Sequence, residues 1–150
     1  LDSLSGSING EHGELDWMPV RYIHRNVARK RLPGLYRAAA VALVTPLRDG
    51  MNLVAKEFIA AQDPADPGVL VLSRFAGAAE QLHEALLVNP YDTGQTAETI
   101  QRALHMPLAE RQHRHQALLA HIRTHDVHAW RAAFLDALAN TPASPGGSPQ

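Results

Sequence analysis

The stretch that decides the fold is VALVTPLRDGMNLVAKEFIAAQ, residues 41 to 62. It begins with an apolar run, Val41–Thr45, that has the length and the β-branched residues of a strand. Pro46 ends that strand, because proline has no N–H to donate to a neighbouring strand. The polar segment 48–50 then predicts a turn in which Gly50 is free to take a positive φ.

A helix is predicted directly after this turn, from Asn52 onward. Leu53, Val54, Phe58 and Ala61 fall close to one face of a helix, which is the spacing of an amphipathic helix. Strand, glycine turn and helix together make half of a βαβ unit. The free N–H groups of such a helix start attract anions, and phosphate in particular.

Two acidic residues bracket this helix start. Asp49 lies in the turn and Glu57 lies eight residues later, within the helix. A nucleotide sugar fits between them, since carboxylates accept hydrogen bonds from sugar hydroxyls while the N–H groups of residues 51–54 hold the diphosphate. The spacing is equally typical of any α/β protein with two ordinary surface acids, so both interpretations stay open on spacing alone.

The composition is that of a globular chain with no electrostatic attraction to polyanions. The 150 residues have 45% hydrophobic residues, a net charge of −1 and no cysteine. We therefore expect no nucleic-acid partner, no membrane partner, no disulfide and a cytoplasmic location. The start of the sequence lacks the basic and apolar regions of a signal peptide. We predict one domain over residues 1–139, with C-terminal helices, and a disordered tail over residues 140–150.

The nine histidines do not predict a metal site. His121 and His125 have the i,i+4 spacing of two helix-borne ligands, but the zinc motif with that spacing needs a glutamate between them. Ile122, Arg123 and Thr124 stand there instead. The sequence thus predicts neither a metal nor a cofactor.

Hydrophobic periodicity and turn residues predict the remaining elements. The last helix carries an apolar stripe, Trp130, Phe134, Leu135 and Leu138, that predicts a packed face. The predicted strands are 18–24, 69–73 and 85–88, and the predicted helices are 1–8 (ending at Gly10), 32–40, 74–82 (entered through Gly77), 93–105 (capped by Thr93 or Thr96), 106–124 and 126–139.

The segment 43–58, LVTPLRDGMNLVAKEF, closely resembles the signature of trehalose-6-phosphate synthases, which are retaining glycosyltransferases of the GT-B fold. The resemblance continues through residues 8–10, 16–20, 67–80, 89–92 and 124–130, and covers most of the chain up to about Leu138. It implies an α/β fold with a Rossmann-like parallel sheet. This fold would be an incomplete C-terminal domain of a GT-B enzyme.

The resemblance also implies a function. Members of this family move glucose from a nucleoside diphosphate, UDP-glucose or GDP-glucose, to glucose 6-phosphate with retention, by front-face attack without a protein nucleophile. The resemblance implies that Asp49, the candidate catalytic residue, accepts from the glucose hydroxyls, and that Gly50, Met51 and Asn52 approach the sugar and phosphate. It implies that Leu53 and Val54 bind the diphosphate through N–H groups and that Ala55 and Lys56 continue the donor site. In the same way, Glu57 is implied to hold the ribose, and Val27 to lie beside the base.

The same resemblance places the family's phosphate-clamping Arg and Lys, and the glucose 6-phosphate site, upstream of Leu1. We therefore expect these 150 residues alone to be marginally stable, with exposed strand edges, and to have no transferase activity. The alternative is a non-catalytic nucleotide-sugar-binding or interaction module. A homo-oligomer is compatible with either interpretation.

Overall fold

The computed structural model describes residues 1–140, which fall into two compact units. The first unit, Leu1–Arg31, contains helix α1 (Asp2–His12) and a 3₁₀ turn at Arg29–Arg31. Helix α1 continues two residues past Gly10, where we predicted its end. The predicted tail, apart from Asn140, lies outside the described residues.

The predicted strand at residues 18–24 is wrong. This segment is irregular, and no β-strand lies in the first unit. The side chain of Asn9 supplies the hydrogen bonds of Val20: its amide N–H donates to the Val20 carbonyl at 2.8 Å, and its oxygen accepts from the Val20 N–H at 2.9 Å. An alternating pattern favours a strand only where another strand is available to pair with it.

The second unit begins at Leu32 and is built on a parallel sheet. Its strands are β1 (Val41–Val44), β2 (Val69–Ser73) and β3 (Leu86–Val88), in the order β1-β2-β3. Val41 is opposite Val69, and Val71 is opposite Leu86. All three strands are parallel, which confirms the predicted α/β class.

Helices cover both faces of this sheet. The unit contains α2 (Leu32–Ala38), α3 (Leu53–Ala61), α4 (Thr93–Leu104), α5 (Leu108–Thr124) and α6 (Val127–Asn140). Of these, α3 and α5 pack on one face of the sheet and α4 packs on the other. Every residue of β2 is buried, as expected of a parallel strand with both faces covered. Leu70 and Leu72 face α3 and α5, where they pack with Phe58, while Val69 and Val71 belong to the opposite cluster around Ala103 of α4.

Two local expectations of this unit are corrected. Residues 77–80 form only a 3₁₀ turn, Gly77–Glu80, and the rest of the predicted helix over 74–82 is not helical. Helix α4 is capped by Asp92, whose carboxylate accepts from the Gln95 N–H at 2.9 Å. The Thr96 hydroxyl instead donates to the Asp92 carbonyl at 2.7 Å, as threonine inside a helix often does.

Helix α6 forms as predicted but does not pack through its apolar stripe. None of its residues is buried in the described part of the chain, and Trp130 is 59% exposed. The rings of Trp130 and Phe134 stack on each other at 5.4 Å between centroids. None of the helices within residues 1–140 combines the length and hydropathy needed to cross a membrane.

Gln62, at the end of α3, is a buried polar side chain that joins three segments. Its amide N–H donates to the Tyr36 carbonyl of α2 at 2.6 Å, and its oxygen accepts from the Gly68 N–H at 2.8 Å. These bonds hold α2, α3 and the entry to β2 together. A nonpolar side chain of similar size would leave the Gly68 N–H without this acceptor and the Tyr36 carbonyl with only the Ala39 N–H, at 3.3 Å.

We therefore predict that Gln62→Leu lowers the free energy of unfolding by about 1–3 kcal/mol, measured by urea denaturation. Gln116→Leu is the matched control, because Gln116 is exposed on α5. It should change stability by no more than about 0.5 kcal/mol. Equal stability of the two variants would show that Gln62 does not join these segments.

Candidate functional site

The candidate site lies at the carboxyl end of β1, where the loop before α3 pairs with the turn after β2. The Asp49 N–H donates to the Phe75 carbonyl at 3.3 Å, and the Gly77 N–H donates to the Asp49 carbonyl at 3.0 Å. The Ala78 N–H donates to the Met51 carbonyl at 2.8 Å. These bonds extend the parallel pairing of β1 and β2 past the end of the sheet and hold the loop.

Asn52 turns the chain into α3. It has φ 71° and ψ 86°, and it is the only residue with a positive φ in the described part of the chain, glycines included. Gly50, which is free to take a positive φ, does not take one. Asparagine tolerates this conformation because its short side chain bonds locally. Its oxygen accepts from the Ala55 N–H at 3.0 Å, and its amide donates to Asp49 Oδ2 at 2.9 Å.

The start of α3 is open, as the anion-site prediction requires. Leu53 and Val54 are 62% and 45% exposed. Their N–H groups have no acceptor among residues 1–140, since they are the first two donors of the helix. The Ala55 side chain is fully buried and its N–H is bonded to Asn52, so a ligand could reach that N–H only by breaking this bond.

Asp49 and Glu57 have different partners. Asp49 is half-buried, and its Oδ1 also accepts from the Met51 N–H at 3.3 Å. Glu57 is exposed on α3 and accepts from the Tyr36 hydroxyl at 3.3 Å. Burial raises the pKa of Tyr36 above its ordinary value, and the charge and hydrogen bond of Glu57 raise that pKa further. No described contact joins the two carboxylates directly.

Lys56 lines a cavity of about 580 Å³. Its Nζ donates to Gln81 Oε1 at 3.0 Å. The cavity lies against α5 and α6, and Met51 and Leu53 line it together with Lys56.

Gly50 is exposed, with open space where a Cβ would be. Val27 belongs to the first unit, and its predicted place beside a base stays a prediction.

His121, near the end of α5, stacks on His125, which directly follows that helix, with 4.0 Å between the ring centroids. His121 Nε2 is buried and has no hydrogen-bond partner among residues 1–140. Burial lowers the pKa of His121, and the nearby His125, Lys56 and His83 lower it further. Within residues 1–140, no group of three or more His, Cys, Asp or Glu is arranged to hold a metal ion.

Comparison with known proteins shows the family of this chain. The model of glycosyltransferase family 20 matches residues 1–140. The chain belongs to glycosyltransferase family 20. It is 56% identical over 138 residues to a trehalose-6-phosphate synthase of Klebsiella pneumoniae, covering 92% of this chain and 29% of that protein. It is 59% identical over 134 residues to the enzyme of Sinorhizobium fredii, covering 89% and 29%.

Solved structures of family 20 share this fold. A UDP-forming trehalose-phosphate synthase of Burkholderia xenovorans in complex with glucose 6-phosphate is 56% identical, with a TM-score of 0.90 over 93% of this chain and 31% of its own. An E. coli structure bound with UDP-2-fluoro glucose is 51% identical, with a TM-score of 0.89 over 93% and 31%. The predicted family and GT-B-type fold are confirmed. The chain spans about 30% of the length of these family 20 relatives.

Two features of the site were missed at the sequence level. The first is the pairing of the Asp49 loop with residues 75–78, and the second is the contact of Tyr36 with Glu57. Both join segments more than 20 residues apart, so no local pattern points to them. The unbroken resemblance across 67–80 was the only sequence signal that this turn belongs with the Asp49 loop.

The conformation of Asn52 generates a stability prediction. Asn52→Ala should lower the free energy of unfolding by about 1–3 kcal/mol, because it removes the cap of α3 and puts alanine at a positive φ. Asn52→Gly loses the cap but tolerates that φ, so it should cost less than about 1 kcal/mol. Urea denaturation measures both, and equal costs would show that the positive φ has no energetic role.

Proposed function

We propose that this chain forms the donor-binding part of a trehalose-6-phosphate synthase. It would hold a nucleoside diphosphate glucose while the glucosyl group passes, with retention, to glucose 6-phosphate. The observation that carries this proposal is the open start of α3. The N–H groups of Leu53 and Val54 lack an acceptor within residues 1–140, and the Asp49 carboxylate lies in the preceding loop.

The helix start suits the diphosphate. Its unbonded N–H groups and the positive end of the helix dipole favour a negative ligand. When the bond to glucose breaks, negative charge develops on the departing diphosphate. Donors that a helix already holds in place stabilise that charge without reorganising.

Asp49 suits the sugar better than the phosphates. A carboxylate has about four acceptor positions, and the described contacts of Asp49 use two of them, with Met51 and Asn52. The remaining positions can accept from glucose hydroxyls, whereas a phosphate next to the carboxylate would be repelled. Glu57, further along α3 and exposed, is the proposed acceptor for the ribose hydroxyls.

The ligands of relatives support the choice of substrates. The E. coli structure carries UDP-2-fluoro glucose, and the B. xenovorans structure carries glucose 6-phosphate. We propose UDP-glucose as the donor, with GDP-glucose as the alternative, and an acceptor site formed outside these 150 residues. A cytoplasmic enzyme is part of the proposal, and a homo-oligomer is compatible with it.

Calorimetric titration with UDP-glucose and with UDP tests the two carboxylates separately. Asp49→Ala should weaken UDP-glucose about tenfold and leave UDP unchanged, because Asp49 is assigned to the glucose. Glu57→Ala should weaken both ligands about tenfold, because both carry the ribose. Glu98→Ala, an exposed carboxylate on α4, is the control and should bind both ligands like the parent. Unchanged binding in both site variants would remove the assignment.

A turnover assay tests the proposal that this chain binds the donor while the acceptor site lies outside these 150 residues. These 150 residues, incubated with UDP-glucose and glucose 6-phosphate, should release no UDP above the rate without protein. The same residues within a full-length family 20 enzyme should restore the reaction. Turnover by the 150 residues alone would contradict the proposal that the acceptor site lies elsewhere, and absence of UDP binding would favour a non-catalytic interaction module.

A further inference from the structure

We propose that Gly77 is a positioning residue of the donor site. The inference rests on the function proposed above and concerns how the Asp49 loop is held in place. Gly77 opens the 3₁₀ turn after β2 and has no side chain to offer a ligand. Its effect is exerted through the backbone of residues 49–51.

The missing Cβ of Gly77 is what allows the two segments to approach. A Cβ built on Gly77 would overlap the Gly50 carbonyl oxygen, would lie 2.9 Å from the Gly50 carbonyl carbon and would lie 3.5 Å from the Met51 Cα. All three are backbone atoms, so no side-chain rotation relieves the overlap. The φ of Gly77 is not positive, so the requirement here is for space and not for glycine's backbone freedom.

The close approach is coupled to hydrogen bonds on both sides of the contact. The N–H groups of Gly77 and Ala78 donate to the carbonyls of Asp49 and Met51 at 3.0 and 2.8 Å, and the Asp49 N–H donates to the Phe75 carbonyl at 3.3 Å. Gly50 lies between these bonds. Any side chain at position 77 must therefore separate the loop from the turn and lengthen the bonds that fix Asp49 and Met51.

A shift of this loop moves both proposed ligand contacts together. The Asp49 side chain is bonded to Asn52, and Asn52 caps α3 through the Ala55 N–H. A displaced loop thus changes the distance between the Asp49 carboxylate and the N–H groups of Leu53 and Val54. A ligand that must reach both at once is sensitive to that distance, since misplacement by about 1 Å can cost on the order of 100-fold.

Gly77→Ala tests the inference, with Gly68→Ala as a matched control. A Cβ on Gly68 would lie 2.5 Å from the Ala39 carbonyl oxygen, so the control has the same kind of clash at the other end of β2. Both variants should unfold at lower urea concentration. Measured per folded molecule, Gly77→Ala should bind UDP-glucose at least about tenfold more weakly, while Gly68→Ala should bind like the parent.

Equal affinity of the parent and Gly77→Ala overturns the inference, and so does an equal loss of affinity in both variants. If the parent itself does not bind UDP-glucose, the proposed function fails first, and the two failures are thereby distinguished.

Amide hydrogen exchange of the parent gives a second readout that needs no variant. Saturating UDP-glucose should slow exchange at Gly77 and Ala78 and leave Gly68 unchanged; unchanged exchange at all three overturns the inference.

Discussion

The left-handed conformation of Asn52 is the constraint on which the candidate site depends. The chain must leave β1, cross the carboxyl edge of the sheet and enter α3 within a few residues, and Asn52 makes that reversal at φ 71°. The same side chain then caps α3 at Ala55 and bonds the Asp49 carboxylate. One residue thereby sets the direction of the helix, the openness of its first N–H groups and the orientation of the nearest acid.

The sheet gives this reversal a rigid base. β2 is buried along its whole length between α3 and α5 on one face and α4 on the other, and the backbone pairing of the Asp49 loop continues from it. Breaking that pairing would expose unpaired backbone groups beside the core, at a cost of about 1–3 kcal/mol for each buried group. The loop is therefore held by the most completely buried strand of the unit. A site that works by orientation and electrostatics needs such rigidity.

The sequence predicted the elements that local signals determine and missed those that depend on distant partners. The apolar runs of β1 and β2, bounded by Pro46 and Gly68, have the bounds we expected to within one residue, and α3 begins one residue after Asn52. The predicted strand at 18–24 is wrong because the pairing of one strand with another is not a local property of the sequence. Gly77 was interpreted as a helix entry, whereas its position follows from contact with Gly50, 27 residues away.

The motif RDGMN shows why the positive φ falls on Asn52 and not on Gly50. It contains two residue types that tolerate a positive φ, Gly50 and Asn52, and propensity alone favours glycine. The structure favours Asn52 because that position also needs a side chain: one oxygen for the Ala55 N–H and one amide for Asp49. A glycine at position 52 would adopt the positive φ. It would leave α3 without its cap and Asp49 without the hydrogen bond from the Asn52 amide. No steric contact among residues 1–140 requires glycine at position 50, because a Cβ there would meet open space.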